Sequence, residues 1–423
     1  MILALRPLQL LPYRQKSFFS IPVLVALFAG GCTQKLPNYP PAYREYAYVT
    51  NGKSNTVTVL DMREYKPVAT IPVGNDPSGV AANSQKNEVY VVNAGSNSLS
   101  VIDAEQNKVV ATIALEHTPF FVDASSDGTR AYVANSHSNS VSIIDIPQRR
   151  VLRNVPVGKG PGEARVSQDG KSIVVTERLG DSVSVIDAKE MIVRSSIPIC
   201  KGPTDVQILP DSGKAFVTCS GSGQVAVIGL NMSSPEALGQ QNAAQEGSRR
   251  SGGAALKSAM PGTVDRLLSI LDVGSVPVHL AVKPDGGEIF VSNFGANTMS
   301  EIITGTNEVS STYLIGAGPV RAIVSADNST LYVSNFNSDT VSVYDIDDGK
   351  LVITVPVGRR PDALALSPNQ NFLFVADTAA GDVSVVRTAA KQGAVLLTII
   401  PVGQQPNAIA VKAFVLRKPP ALP

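Results

Sequence analysis

Tyr48-Val49-Thr50-Asn51 returns as Tyr90-Val91-Val92-Asn93 and again as Tyr132-Val133-Ala134-Asn135, each step being 42 residues. Two further steps reach Val174-Val175-Thr176-Glu177 and Phe216-Val217-Thr218-Cys219. After an interruption come Phe290-Val291-Ser292-Asn293, Tyr332-Val333-Ser334-Asn335 and Phe374-Val375-Ala376-Asp377. The irregular step, from Cys219 to Asn293, is 74 residues, one period plus an insertion of 32. A fixed period of this length marks a chain built from one supersecondary unit, each copy covering its neighbour's apolar face. The count is eight.

Every unit repeats the same four segments. The quoted strand is followed by a turn such as Gly52-Lys53-Ser54-Asn55 and by the alternating run Thr56 to Asp61. A polar turn leads to Val68-Ala69-Thr70-Ile71-Pro72-Val73-Gly74, and a turn closed by Pro77 opens Gly79-Val80-Ala81-Ala82. Period-two alternation in short runs bounded by turn residues reads as strand. The 34 Gly and 29 Pro suit many tight turns. Four antiparallel strands in roughly 40 residues is the period of a propeller blade.

From about Tyr46 to Phe414 the units resemble the YVTN family of β-propeller repeats. That resemblance implies that the segment after the proline lies nearest the axis and the Val-x-Val-Gly segment lies outermost. Many members of the family have seven blades, so eight rests on the count. The chain begins on the second strand of a blade and ends on an innermost one, Pro406 to Val411, which must complete the first blade. The expectation is an all-β fold: one eight-bladed propeller of four-stranded antiparallel blades over residues 45–414, closed by the C-terminal strand, with a tail at 415–423. Closure of this kind leaves only short, protected edges.

The N-terminus reads as an address. Arg6, Arg14 and Lys16 precede the apolar run Phe18 to Phe28, which leads into Ala29-Gly30-Gly31-Cys32. This is the pattern of a secretory signal, too short to span a bilayer. The small residues before Cys32 resemble the bacterial lipobox, with Ala29 where that motif prefers Leu, and imply lipidation of Cys32 after removal of residues 1–31. Thr33 in place of Asp after the Cys resembles outer-membrane sorting in a Gram-negative cell. Residues 32–44, rich in proline, read as a tether. The expectation is an exported, membrane-anchored lipoprotein, at the outer membrane or periplasmic face if the cell is Gram-negative.

Asn231 to Thr263 interrupts the fifth unit, between its third and fourth segments, with Ser, Gly, Ala and Gln and no apolar periodicity. Such a composition reads as a disordered surface loop. Two cysteines remain in the body. Cys200 replaces the Gly of Val-x-Val-Gly and Cys219 replaces the Asn of the quoted motif, at a junction that elsewhere pairs Gly74 with Asn93 or Gly274 with Asn293. In an oxidising compartment the two are either a disulfide or two separate buried thiols.

Enzyme motifs are absent: there is no Gly-rich phosphate loop, haem-attachment Cys-x-x-Cys-His or Gly-x-Ser-x-Gly elbow. With no Trp, the chain differs from propellers that close each blade with tryptophan. The near balance of 36 Lys and Arg against 35 Asp and Glu gives no footprint for nucleic acid. Aligning the units exposes one constellation. Two residues after the blade-opening proline stand Gly79, Phe121, Glu163, Asp205, His279, Arg321, Ala363 and Ala408. Four residues after it stand Ala81, Asp123, Arg165, Gln207, Ala281, Ile323, Ala365 and Ala410. The charged members occupy one arc of adjacent blades, where charges near the axis must be paired or wet. Asp123, Glu163, Arg165, Asp205, Gln207, His279 and Arg321 are therefore a candidate axial site. They form either a solvated salt-bridge network or a binding site in which Asp205, Glu163 and His279 hold a metal or His279 ligates a haem-like iron.

A second candidate is the rim: His117, His137, Lys159, Lys201, Arg359 and Arg360, on turns of one face. The leading functional expectation is a non-catalytic cell-envelope binding or scaffold protein that holds a protein or polymer partner and carries no cofactor. The alternative is a haem- or metal-binding propeller, because eight-bladed periplasmic propellers resembling this one include the haem-d1 domain of a nitrite reductase. A lactonase- or dehydrogenase-like enzyme would need an acid–base pair, which only the Glu163, Asp205 and His279 arc offers.

Overall fold

The computed structural model describes residues 40, 42–233, 263–388 and 393–416. The signal segment, Cys32, most of the tether, residues 234–262 of the insertion and residues 417–423 of the tail lie outside them. Among the described residues the chain forms eight four-stranded antiparallel blades. Blade 1 takes Tyr43–Asn51, Thr56–Asp61 and Lys66–Pro72, and its innermost strand is the C-terminal Pro406–Val415. Blades 2 to 8 open with the innermost strands Pro77–Ala82, Pro119–Ala124, Pro161–Val166, Pro203–Ile208, Pro277–Val282, Pro319–Val324 and Pro361–Leu366. Each innermost strand packs on the next around the circle, and Pro406–Val415 touches the innermost strands of blades 8 and 2. The ring is thus closed by hydrogen bonds between residues more than 350 positions apart, as in the pairing Ala47↔Val411.

The motif strands are buried along nearly their whole length because neighbouring blades cover both faces. Tyr48 packs with Val57, Val59, Val89 and Val91 toward blade 2. Val49, on the opposite face, packs with Phe374, Val383 and Val385 of blade 8. Tyr48, Tyr90, Tyr132, Phe216, Phe290 and Phe374 are among the largest fully buried side chains, each contributing about 1.5–3 kcal/mol by burial. Only the outer strands alternate with solvent, as in Lys108–Ala114.

The motif Asn is a node. The Nδ2 of Asn51 donates to Thr56 Oγ1 (3.1 Å) and Thr58 Oγ1 (2.9 Å), five and seven residues on. Asn93, Asn135, Asn293 and Asn335 repeat this across their hairpins. Opposite Asn93 stands Gly74, where a Cβ would come within 2.7 Å of the Asn side chain, so close approach requires glycine. Two nodes are acidic. Glu177 accepts from Ser182, Ser184 and the Gly158 amide. In blade 8, Asp377 accepts from Ser384 Oγ at 2.6 Å and faces Asp382. In blade 5 the node is a disulfide, Cys200–Cys219, with Cα atoms 5.6 Å apart, which ties the outer edge of blade 4 to the second strand of blade 5.

A second repeated device sets the innermost strands. Asn55, Asn97, Asn139, Asp181, Asn297 and Asp339 close their hairpins with φ of 50–57°, a conformation Asn and Asp tolerate. The side-chain oxygen of each accepts the amide of the residue just before the next blade's proline, at 2.7–2.9 Å. The starts of six of the eight axial strands are thereby fixed.

Three boundaries move. The insertion falls between the second and third segments of the fifth unit, not the third and fourth. Residues 231–233 and Thr263 belong to strands Gln224–Ser233 and Thr263–Asp272, which continue to pair at Met232↔Val264 and Ser233↔Thr263. Tyr43 and Arg44, expected in the tether, and Val415, expected in the tail, extend the closing pair. Backbone pairing propagates here through side chains that show no sequence period.

Candidate functional site

The sequence alignment of the units is a spatial alignment. The innermost strands carry Glu163, Arg165, Gln207, His279 and Arg321 onto one arc of an axial cavity of about 420 Å³. The opposite arc is small and apolar, with Gly79, Ala363, Leu364, Ala408 and Ile409. Ser78, Asn407 and the exposed Phe120 border its end beneath the proline turns. A second cavity of about 230 Å³, bordered by Asp123, Ser126 and Gln168, shares Arg165 and Gln207 with the first. Arg165 therefore stands between the two, with its guanidinium carbon 4.6 Å from the centre of the Phe121 ring, within cation–π range.

Several charged groups do backbone work. An innermost strand has no ladder partner on its axial side, and side chains of the preceding blade supply acceptors instead. Asp123 takes the amides of Ala124 (2.9 Å) and Val166 (3.0 Å). Asp205 Oδ2 takes the amide of Leu280 at 2.7 Å. His279 Nδ1 takes the amide of Ala322 at 3.3 Å. Asp123, Asp205 and His279 thus link blade 3 to 4, 5 to 6 and 6 to 7.

Arg165 is held by two carboxyl groups, with Nε 3.4 Å from Glu163 Oε2 and Nη2 3.9 Å from Asp205 Oδ1. Glu163 Oε2 and Asp205 Oδ1 are buried without a conventional hydrogen-bond donor. Burial, and then the charge of Asp205, raise Glu163 well above the usual carboxylate range. Despite burial, Asp205 is held below it by His279, Arg165, the hydrogen bond from Glu163 and Arg321. Burial pushes His279 down to about 3, with Arg321 and Arg165 acting the same way and Asp205 opposing. At neutral pH the imidazole is uncharged. Its Nδ1 accepts, so Nε2 carries the proton, 4.0 Å from Asp205 Oδ2.

Among the described residues no three His, Cys, Asp or Glu side chains are grouped to hold a metal ion. Asp205 Oδ2 and His279 Nδ1 are already engaged by backbone amides. With Nδ1 accepting, the imidazole offers Nε2–H as a hydrogen-bond donor.

One member of the arc escaped the sequence. Asp362, one residue after its proline, lies 3.5 Å from Arg321 Nε, and burial raises its carboxyl above the usual range against the pull of Arg321. It is the only charged residue in that register among Ser78, Phe120, Gly162, Thr204, Val278, Val320, Asp362 and Asn407, which was the available signal. The rim residues His117, His137, Lys159, Lys201, Arg359 and Arg360 are all exposed on turns of one face. They are not one group: Lys159 and Lys201 precede blades 4 and 5, whereas Arg359 and Arg360, the latter 5.4 Å from the centre of the Phe336 ring, precede blade 8.

Comparison with known proteins agrees with this architecture. Residues 36–166 and 130–214 match the YNCE-like beta-propeller family, and residues 316–411 match the 7-bladed lactonase propeller family. The chain is a β-propeller repeat protein. No curated protein matches it. Among solved structures, it resembles dihydro-heme d1 dehydrogenase NirN in complex with DHE at 13% identity and TM-score 0.67, over 86% of this chain and 74% of that one. A protein of Desulfotomaculum acetoxidans DSM 771 described as functionally unknown has 16% identity and TM-score 0.56, over 77% and 99%. Hydrazine synthase of Kuenenia stuttgartiensis has 20% identity and TM-score 0.51, over 70% and 91%. At these identities the likeness concerns the fold.

Proposed function

We propose that this chain is a non-catalytic binding propeller of the cell envelope that holds a small molecule on its axis. The observation that carries the reading is the asymmetric axial cavity. Its volume lies in the range of small-molecule sites, roughly 300–1,000 Å³, and its convergent polar arc faces an apolar wall. The rim offers separated, exposed charges, a weaker basis for a protein or polymer partner. The secretory pattern before Cys32 and the Cys200–Cys219 disulfide support an oxidising compartment, and lipidation of Cys32 would hold the propeller at a membrane.

The test is to purify the full chain and an Ala363→Phe variant, which fills the apolar wall, from the native host, and to compare their extracts by mass spectrometry and absorption. A small molecule present with the parent and depleted in the variant is expected. Identical extracts, together with a protein or polymer retained through the rim, would overturn the axial reading. A Soret band lost in the variant would favour a haem-like ligand, the reading suggested by the NirN likeness and by His279 on the axis.

A further inference from the structure

We infer that the axial ligand is a monocarboxylate on an apolar body, its carboxylate held between Arg165 and Arg321 and its body against Gly79, Ala363 and Ala408. This rests on the axial-cavity reading above. The charges bordering the cavity are unequal: Arg165, Arg321 and Glu163 line it, whereas Asp205 and Asp362, which neutralise the arginines, do not. Both guanidinium groups thus border the cavity, with Glu163 as the one carboxyl group beside them.

The other polar groups of that arc are donors as well. His279 presents Nε2–H because its Nδ1 is occupied, and Gln207 offers an amide. Burial and the charge of Asp205 favour the neutral form of Glu163. A wall of donors around two cations selects an anion with several acceptor lone pairs, which a carboxylate supplies. A single charge suffices, because Asp205 and Asp362 already balance the arginines. The facing wall has no group that could pair a second charge, so the rest of the ligand must be apolar.

The test is isothermal titration calorimetry on the full chain with 2-naphthoate and decanoate, each against its neutral amide. The acids distinguish a ring from a chain as the apolar body. At least one acid is expected to bind, with its amide about 10- to 100-fold weaker. Arg321→Gln should weaken the acid by a similar factor and leave the amide unchanged, while Lys201→Gln on the rim should alter neither. Ala363→Phe, or Ala408→Phe if the first does not fold, should abolish both. Equal binding of acid and amide that Ala363→Phe removes would overturn the carboxylate and keep the axial site. Binding of any probe that survives both cavity-filling variants, or no binding by any of the four probes, would overturn the axial site too.

Discussion

Replacing Asp377 by Asn is expected to stabilise the propeller at neutral pH. Asp377 is fully buried at the node of blade 8, where five other blades place Asn. Burial, and the neighbouring Asp382 with which it shares a proton, push its carboxyl up to about 8 from an ordinary 3.8. Between about pH 4 and pH 8 the unfolded chain has lost this proton and the folded chain has not. The contribution to stability therefore falls by about 1.4 kcal/mol for each pH unit of rise across that window and is constant on either side. At pH 7 some three units have accumulated, or about 4 kcal/mol. Asn has no proton to retain, and its amide donates to Asp382 and Ser384 as Asn51 does to Thr56 and Thr58. An unfolding entropy of about 2.1 cal/mol/K per residue over the roughly 340 residues of the folded ring gives roughly 0.7 kcal/mol/K, so Tm should rise by about 6 °C at pH 7. At pH 4 the gain should almost vanish. Differential scanning calorimetry of both proteins at the two pH values measures this. An equal gain at pH 4 and pH 7, or a variant no more stable than the parent at pH 7, would refute the reasoning.

Further outcomes follow from the same structure. Replacing Cys200 and Cys219 together by Ser should cost about 3 kcal/mol, the usual effect of opening a loop of this size, read from urea unfolding midpoints, with reductant reproducing the loss in the parent. Deleting residues 406–423 removes the innermost strand of blade 1 and should abolish the cooperative transition in calorimetry; an unchanged Tm would contradict closure by that strand. His279 should remain neutral from pH 8 to pH 5 in imidazole NMR. Because its folded pKa is depressed, it lowers stability as pH falls from about 6.5 toward 3, and His279→Gln should remove that slope.

Much of this architecture could be read in the chain because the repeat is strict. A period of 42 residues places each motif aromatic between two blades, and alternation around the proline identifies the axial register, which brought Glu163, Arg165, Gln207, His279 and Arg321 onto one cavity. What the sequence hid depends on neighbours across the ring. Nothing in the spacing of Asp205 or His279 says that its acceptor is taken by an amide of the next blade. Asp362 lies outside the two registers that face the axis most directly. The pairing of Cys200 with Cys219 turned on the close approach of the Gly and Asn positions, a distance that only the folded junction supplies. At the insertion, pairing runs on through Met232 and Ser233, which have no periodicity to announce a strand.

The central claim, an axial site for a small anionic molecule, is tested most directly by a crystal structure of the full chain purified from its native host. The account predicts density in the axial cavity, with an anionic end between Arg165 and Arg321 and an apolar end against Ala363 and Ala408. An axis holding only water, with Arg165 and Arg321 paired solely to Glu163, Asp205 and Asp362, would contradict it.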